Sequence, residues 1–195
     1  GDESPRAALL LGTDAASARA IALGLGTLLR RRGARGFVVV SGDTGRDPSA
    51  RAAREGVVSA LLLSGLDVID VGVASSDAVV GIEQAIDARA TAHVASDGVG
   101  GATLVARVDG APLSVVDVES VRAIAAKGDF AAGEGTLLTA PPHAAVLRVR
   151  AFSEHREARA ARRPRPTRAE PVVDDEQTGL VARAGFLDED TAVDG

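Results

Sequence analysis

The chain has no cysteine, methionine, tryptophan or tyrosine, and its only aromatic side chains are Phe37, Phe130, Phe152 and Phe186. The absence of cysteine removes disulfide frameworks, thiolate metal sites and cysteine nucleophiles together. Scarce aromatics leave Ala, Val, Leu and Ile to build the core. Long apolar runs are also missing. The longest, such as Val57 to Leu63, fall far short of the roughly 20 residues needed to cross a bilayer, and the Gly1-Asp2-Glu3-Ser4 start lacks the basic opening of a signal peptide. These features predict a soluble, cytoplasmic protein with no membrane partner. Lysine is nearly absent as well, Lys127 being the only one, and beside abundant Ala and Gly this reads as coding bias rather than chemistry.

What is present, in 195 residues with 46% apolar and 25% charged side chains, suffices for one ordinary domain and a tail, or two small domains. From about Leu9 to Val149, stretches of helical period alternate with short β-rich runs, which predicts βα units around a mainly parallel sheet. Thr13 or Asp14 is placed to cap a helix with Ala18, Ile21, Ala22, Leu25, Leu28 and Leu29 on one face, and Gly33 to stop it. Phe37 to Val40 reads as a buried strand. Asp47-Pro48 then combines a capping side chain with proline at the first helical position, and that helix runs to about Ser64 before Gly65. A second strand covers Asp67 to Val73, and Ser75-Ser76-Asp77 opens a third helix. Strands at Ala92 to Ser96 and Thr103 to Val108 follow, separated by Asp97-Gly98-Val99-Gly100-Gly101. The expected fold is therefore α/β, a three-layer α/β/α domain with a mainly parallel, mixed four-stranded sheet.

The remainder differs in kind. Between Arg148 and Arg168, eight arginines face only Glu154 and Glu157, and from Ala169 onward eight acids face only Arg183. The two blocks nearly cancel. The net charge of −5 thus leaves too little on the body to predict an electrostatic partner. A helix is expected near Ala144 to Ala161. Pro164-Arg165-Pro166 and Pro171 argue against its continuing past Arg163, so the tail is expected to be poorly ordered. The arginine block lacks interleaved aromatics and precedes a competing acidic block, which reads as a solvated polyampholyte and not a nucleic-acid site.

In an open α/β sheet, ligands bind at the carboxyl ends of the strands. Ser41-Gly42-Asp43-Thr44, Ser75-Ser76 and Ser96-Asp97 all reach that edge, with His93 inside its strand. Ser96 precedes an Asp and a glycine-rich turn, an arrangement that exposes a hydroxyl among backbone N–H groups able to receive an anion. The alternative is that it only caps a turn. His93 reads either as a packed strand side chain or as a base, with no second His close enough for a metal pair. Asp43, Asp70 and Asp97 form a candidate cation-binding set, or are ordinary strand-end acids.

The order of several segments carries a resemblance. Ala20-Ile21-Ala22-Leu23-Gly24-Leu25-Gly26-Thr27-Leu28-Leu29 to Gly33, Val38-Val39-Val40 with Asp43-Thr44, and Gly56-Val57-Val58 to Gly65-Leu66-Asp67-Val68-Ile69-Asp70-Val71-Gly72-Val73 fall in register with the first domain of the α-D-phosphohexomutases. These are the phosphomannomutase, phosphoglucomutase and phosphoglucosamine mutase enzymes. Ala95-Ser96 stands where that family has its T-A-S-H-N-P loop, and Asp109 to Ser114 with Gly128-Asp129-Phe130 resembles the end of the same domain. The resemblance covers roughly residues 13 to 150. It implies phosphoryl transfer on hexose phosphates, with Ser96 as the phosphoryl-carrying serine and Mg2+ as the family's cofactor.

Several positions depart from the pattern. The family's Thr, His, Asn and Pro correspond to Val94, Asp97, Gly98 and Val99, its strand lysine to Thr103, and its G-R-D-T-R stretch to Gly42-Asp43-Thr44-Gly45 followed by Arg46. Arg183-Ala184-Gly185-Phe186 is similar to the residues after the family's D-G-D-x-D-R metal loop, which makes Arg183 a substrate-binding candidate, but the loop itself reads Thr178-Gly179-Leu180-Val181-Ala182 without its aspartates. The expected organisation is a phosphohexomutase-like domain at 9–150, a charged linker and helix end at 151–178, and a second-domain remnant at 179–195. Two functions follow: a phosphosugar mutase portion impaired or inactive by itself, or a non-catalytic domain serving binding or oligomerisation. A domain lacking its natural neighbours is expected to expose apolar surface and self-associate.

Overall fold

The structure is a computed structural model, and it describes residues 8–12, 15–34, 36–43, 47–98 and 100–161. In chain order the elements are β1 (Ala8–Gly12), α1 (Ala15–Arg31), β2 (Phe37–Asp43), α2 (Pro48–Leu63), β3 (Asp67–Val73), α3 (Ser76–Ala85), β4 (Ala90–Ser96), β5 (Ala102–Val108), β6 (Ala111–Pro112), α4 (Val115–Lys127), β7 (Leu137–Thr139) and α5 (Pro142–Ala161). The sheet runs β1-β5-β4-β2-β3-β7, with β6 paired beside β5. It is mixed but mostly parallel in strand direction: β2 pairs in parallel with β3 and β4, and β3 with β7, while β5 alone runs against the rest, antiparallel to β1, β4 and β6.

The sheet is larger than the four strands expected from sequence. β1, β6 and β7 were added by tertiary pairing: β6 and β7 are two and three residues long, too short to carry a period, and their partners β5 and β3 supply the ladder. Helix α4 is a further addition. A reciprocal cap starts it, Ser114 Oγ accepting from Asp117 N and Asp117 Oδ2 from Ser114 N, both at 3.2 Å, and Gly128 ends it in the left-handed conformation at φ +67°. Burial pushes the Asp117 pKa up, but the Ser114 hydrogen bonds and Arg32 outweigh it and hold the carboxyl below its usual value.

Two cores flank the sheet, as a three-layer fold requires. On one face Leu25, Leu29, Val57, Leu61 and Val121 from α1, α2 and α4 pack on Val38, Val40, Val94 and Leu104. On the other, Val79 and Ile82 of α3 and Ala145 and Val149 of α5 cover Phe37, Val39, Ile69 and Val71. Alternate side chains of Val38-Val39-Val40 therefore enter opposite cores, which explains an unbroken β-branched run in a strand covered on both faces. The Phe37 and Phe152 rings meet edge to face at 5.7 Å.

The glycines of α1 have a packing reason. A Cβ on Gly24 would lie 2.7 Å from the Val121 carbonyl oxygen, and one on Gly26 would overlap the Ser64 side chain. Helix α1 is thus wedged between α4 and the end of α2 at distances only glycine allows. Its end matches expectation, because Gly33 adopts φ +70° while Ala34 N donates to Leu29 O at 3.0 Å. The caps proposed for its start, Thr13 and Asp14, lie outside the described residues, as does everything beyond Ala161. Among the described residues, no helix is long and apolar enough to cross a membrane.

Candidate functional site

Strand β2 is the switch point of the sheet: the chain moves from it to β3 on one side and returns to β4 on the other. The carboxyl ends of β2 and β4 lie side by side, with Asp43 in register with Ala95, so Ser96 is the next residue outward. The N-terminus of α2 faces this edge. Its first residue, Pro48, needs no amide partner, and Asp47 before it takes the extended cap conformation at φ −78° and ψ 111°.

These local preferences bring Ser96 and Asp47 together. Ser96 Oγ donates to Asp47 Oδ2 at 2.5 Å and accepts from Gly98 N at 3.2 Å. Asp47 Oδ1 accepts from Ser49 N at 2.8 Å and Ala50 N at 3.4 Å. The Ser96 hydroxyl chiefly, then the Ser49 amide, hold the Asp47 carboxyl below its ordinary pKa against a smaller opposing push from burial. At neutral pH a carboxylate therefore occupies the positive end of α2 beside the half-buried serine.

The loop after Ser96 is a hairpin turn, because β5 returns antiparallel with Thr103 opposite Ala95. Asp97 Oδ1 accepts from Gly101 N at 2.8 Å, and Asp97 N donates to Gly101 O at 3.1 Å, so these glycine-rich amides serve the turn itself. Gly98 and Gly100 adopt φ +78° and +92°, which explains glycine at both positions.

The remaining candidates separate. His93 Nδ1 lies 2.9 Å from Ser41 Oγ, on neighbouring strands, and Ser41 is fully buried. Burial lowers the His93 pKa more than nearby Asp43 raises it, so the imidazole is held toward its neutral form. Ser75 caps α3 by accepting from Ala78 N at 3.3 Å. Asp70 is ion-paired with Arg54 of α2 and accepts from Gly72 N at 2.9 Å. The suggested convergence of Asp43, Asp70 and Asp97 on a cation is not found: among the described residues no three His, Asp or Glu side chains are grouped to hold a metal. Thr178 to Ala182, where the resemblance places the metal loop, carries no carboxylate either. These residues do not fit Mg2+. Arg183, Thr44 and Arg46 lie outside the described residues.

Asp47 is the site residue that sequence reasoning missed. Its Asp-Pro signature marked only a helix cap, and its role beside Ser96 depends on β2 and β4 being neighbours, which no local pattern encodes.

No family model matches the chain, and no curated protein does. Its fold does have solved counterparts. A phosphoglucomutase/phosphomannomutase family protein from Burkholderia thailandensis superposes with a TM-score of 0.58 at 21% identity, over 69% of this chain and 31% of that one. A protein from Thermus thermophilus assigned to the phosphomannomutases gives a TM-score of 0.54 at 21% identity, over 75% of this chain and 32% of that one. The chain thus has a phosphohexomutase-like fold and spans about a third of the length of either counterpart.

Proposed function

We propose that this chain is the serine-bearing portion of a phosphohexomutase-like protein: Ser96 accepts a phosphoryl group from a hexose bisphosphate, and the chain alone does not interconvert hexose monophosphates. The single observation that carries the reading is the position of Ser96, at the carboxyl end of β4 beside the switch-point strand and against the N-terminus of α2. In this step Ser96 Oγ attacks phosphorus, the bond from phosphorus to the sugar oxygen breaks, and the sugar monophosphate departs. The hydroxyl proton is lost late in a loose transition state of this kind and passes to a phosphoryl oxygen or to solvent, and Asp47 Oδ2 accepts its hydrogen bond without being required as the base. Its depressed pKa makes it a weak base. Phosphoryl transfer depends mainly on positioning and on neutralising the moving charge. Asp47 and Asp97 flank Ser96 with like charge, which supports slow acceptance and argues against turnover by this chain alone.

The same Asp47 contact favours a second reading, a non-catalytic domain in which the carboxylate permanently fills the anion position. Incubation with glucose or mannose 1,6-bisphosphate, with and without Mg2+, followed by intact-mass measurement separates the two. Acceptance adds about 80 Da to the wild type and nothing to Ser96→Ala, a phosphate being the only adduct expected. An unmodified wild type in every condition leaves the non-catalytic reading.

A further inference from the structure

Helix α5 uses only part of its length to hold the domain. Ala145 and Val149 are buried and Phe152 is half-buried, whereas every residue from Glu154 to Ala161 is exposed. Only an exposed ion pair from Arg156 to Asp67, at 2.8 Å, ties that outer part back to the sheet. Most helices are stabilised by packing one face, and here the second half has no core to pack on.

At the helical period, the side of α5 opposite Ala145, Val149 and Phe152 carries Leu147, Ala151, Glu154 and Ala158. Leu147 is 70% exposed, more than any other exposed large apolar side chain among the described residues. Ala151 and Ala158 are small, so a second helix can come close to this side. Along one flank of it stand Arg150, Glu154 and Glu157, none of them ion-paired among the described residues.

This face is complementary to itself. A twofold axis between residues 152 and 153, with the two helices antiparallel, sets Leu147 over Ala158 of the other copy and Ala151 beside Glu154 of the other copy. An axis perpendicular to both helices brings the same flank of each copy together. Arg150 then falls between Glu154 and Glu157 of the other copy, offset along the helix by about 1.5 Å from one and about 3 Å from the other. The twofold repeats the cluster, so each copy supplies one cation and receives one. A parallel arrangement would instead oppose Arg150 to Arg150 and Glu154 to Glu154, which like-charge repulsion disfavours.

We propose that the chain forms a twofold dimer by antiparallel packing of α5 on α5, with Leu147 seated on Ala158 of the other copy and Arg150 held between its Glu154 and Glu157. The contact is independent of Ser96 and of the function proposed for it.

Sedimentation equilibrium of the full chain, over a hundredfold concentration range reaching about 0.5 mM, tests this. The expected result is a monomer–dimer equilibrium. Arg150→Glu places like charges together, as does the double change Glu154→Arg with Glu157→Arg, and each is expected to weaken the dimer at least about tenfold. An equimolar mixture of the two variants is expected to recover wild-type affinity to within about threefold, because every cluster then opposes Glu to Arg. Leu147→Asn is expected to weaken the dimer about tenfold without changing the circular dichroism spectrum, since the side chain is exposed in the monomer. A chain that stays monomeric at the highest concentration, a dimer that neither charge variant weakens, or a mixture that does not recover would overturn the proposal.

Discussion

The two ends of the sheet treat their carboxylates differently. At the carboxyl end, Asp47 is matched by Ser96, Ser49 and Ala50, Asp70 by Arg54 and Gly72, and the Asp97 carboxylate accepts from Gly101. At the amino end, Glu83 is more deeply buried than any of these and keeps one oxygen unmatched among the described residues. At the end where α/β sheets ordinarily bind ligands each of these carboxylates is matched, although Arg54 Nε is buried without a partner among the described residues, and at the opposite end it is a carboxylate oxygen that goes unmatched. The contrast teaches that a helix N-terminus aimed at a switch point can be filled by the chain's own side chain.

Perturbations of the common framework should erase the contrast, and local ones should move one end at a time. Leu104 lies in the core on β5, which carries Thr103 near Ser96 and leads to Arg107 at the other end. Leu104→Ala is expected to cost about 2 to 5 kcal/mol in denaturant unfolding and to weaken both ends together. A Ser75→Ala change removes the cap of α3 at the carboxyl end and is expected to cost about 1 kcal/mol, with hydrogen exchange rising in the first turn and not around Glu83. A smaller effect comes from His93. Its folded-state pKa is lowered by burial from an ordinary value of 6.5, so the unfolded chain binds the proton more readily. Stability should then fall as pH drops through 6.5 toward the folded value, and His93→Gln should remove that part of the slope. Smallest in stability is Ser96→Ala, whose readout is the Asp47 titration: the carboxyl pKa should rise toward 3.8 once its main hydrogen-bond donor is gone.

How much of this the sequence announced depended on whether the determining chemistry was local. Asp47-Pro48 and Gly65 bound α2, and Asp67 to Val73 reads as a strand, because caps, stops and β-branched runs act within a few residues. Helix α4 was hidden despite its Ser114 and Asp117 cap, since Val115 and Val116 at its start are exposed and blur the apolar face. β7 has three residues and exists as a strand only through β3. The site divided in the same way. Ser96 was legible from its turn, while Asp47, 49 positions away, became its partner only through the β2 and β4 pairing.

The most direct test of the central claim is the time course of intact mass for wild type, Asp47→Ser and Ser96→Ala with a hexose 1,6-bisphosphate. Serine at 47 retains capping ability while removing the charge beside Ser96. The account predicts a slow gain of about 80 Da on the wild type, a severalfold faster gain on Asp47→Ser, and none on Ser96→Ala. An equal gain on Ser96→Ala, or none on the wild type and Asp47→Ser alike, would contradict it.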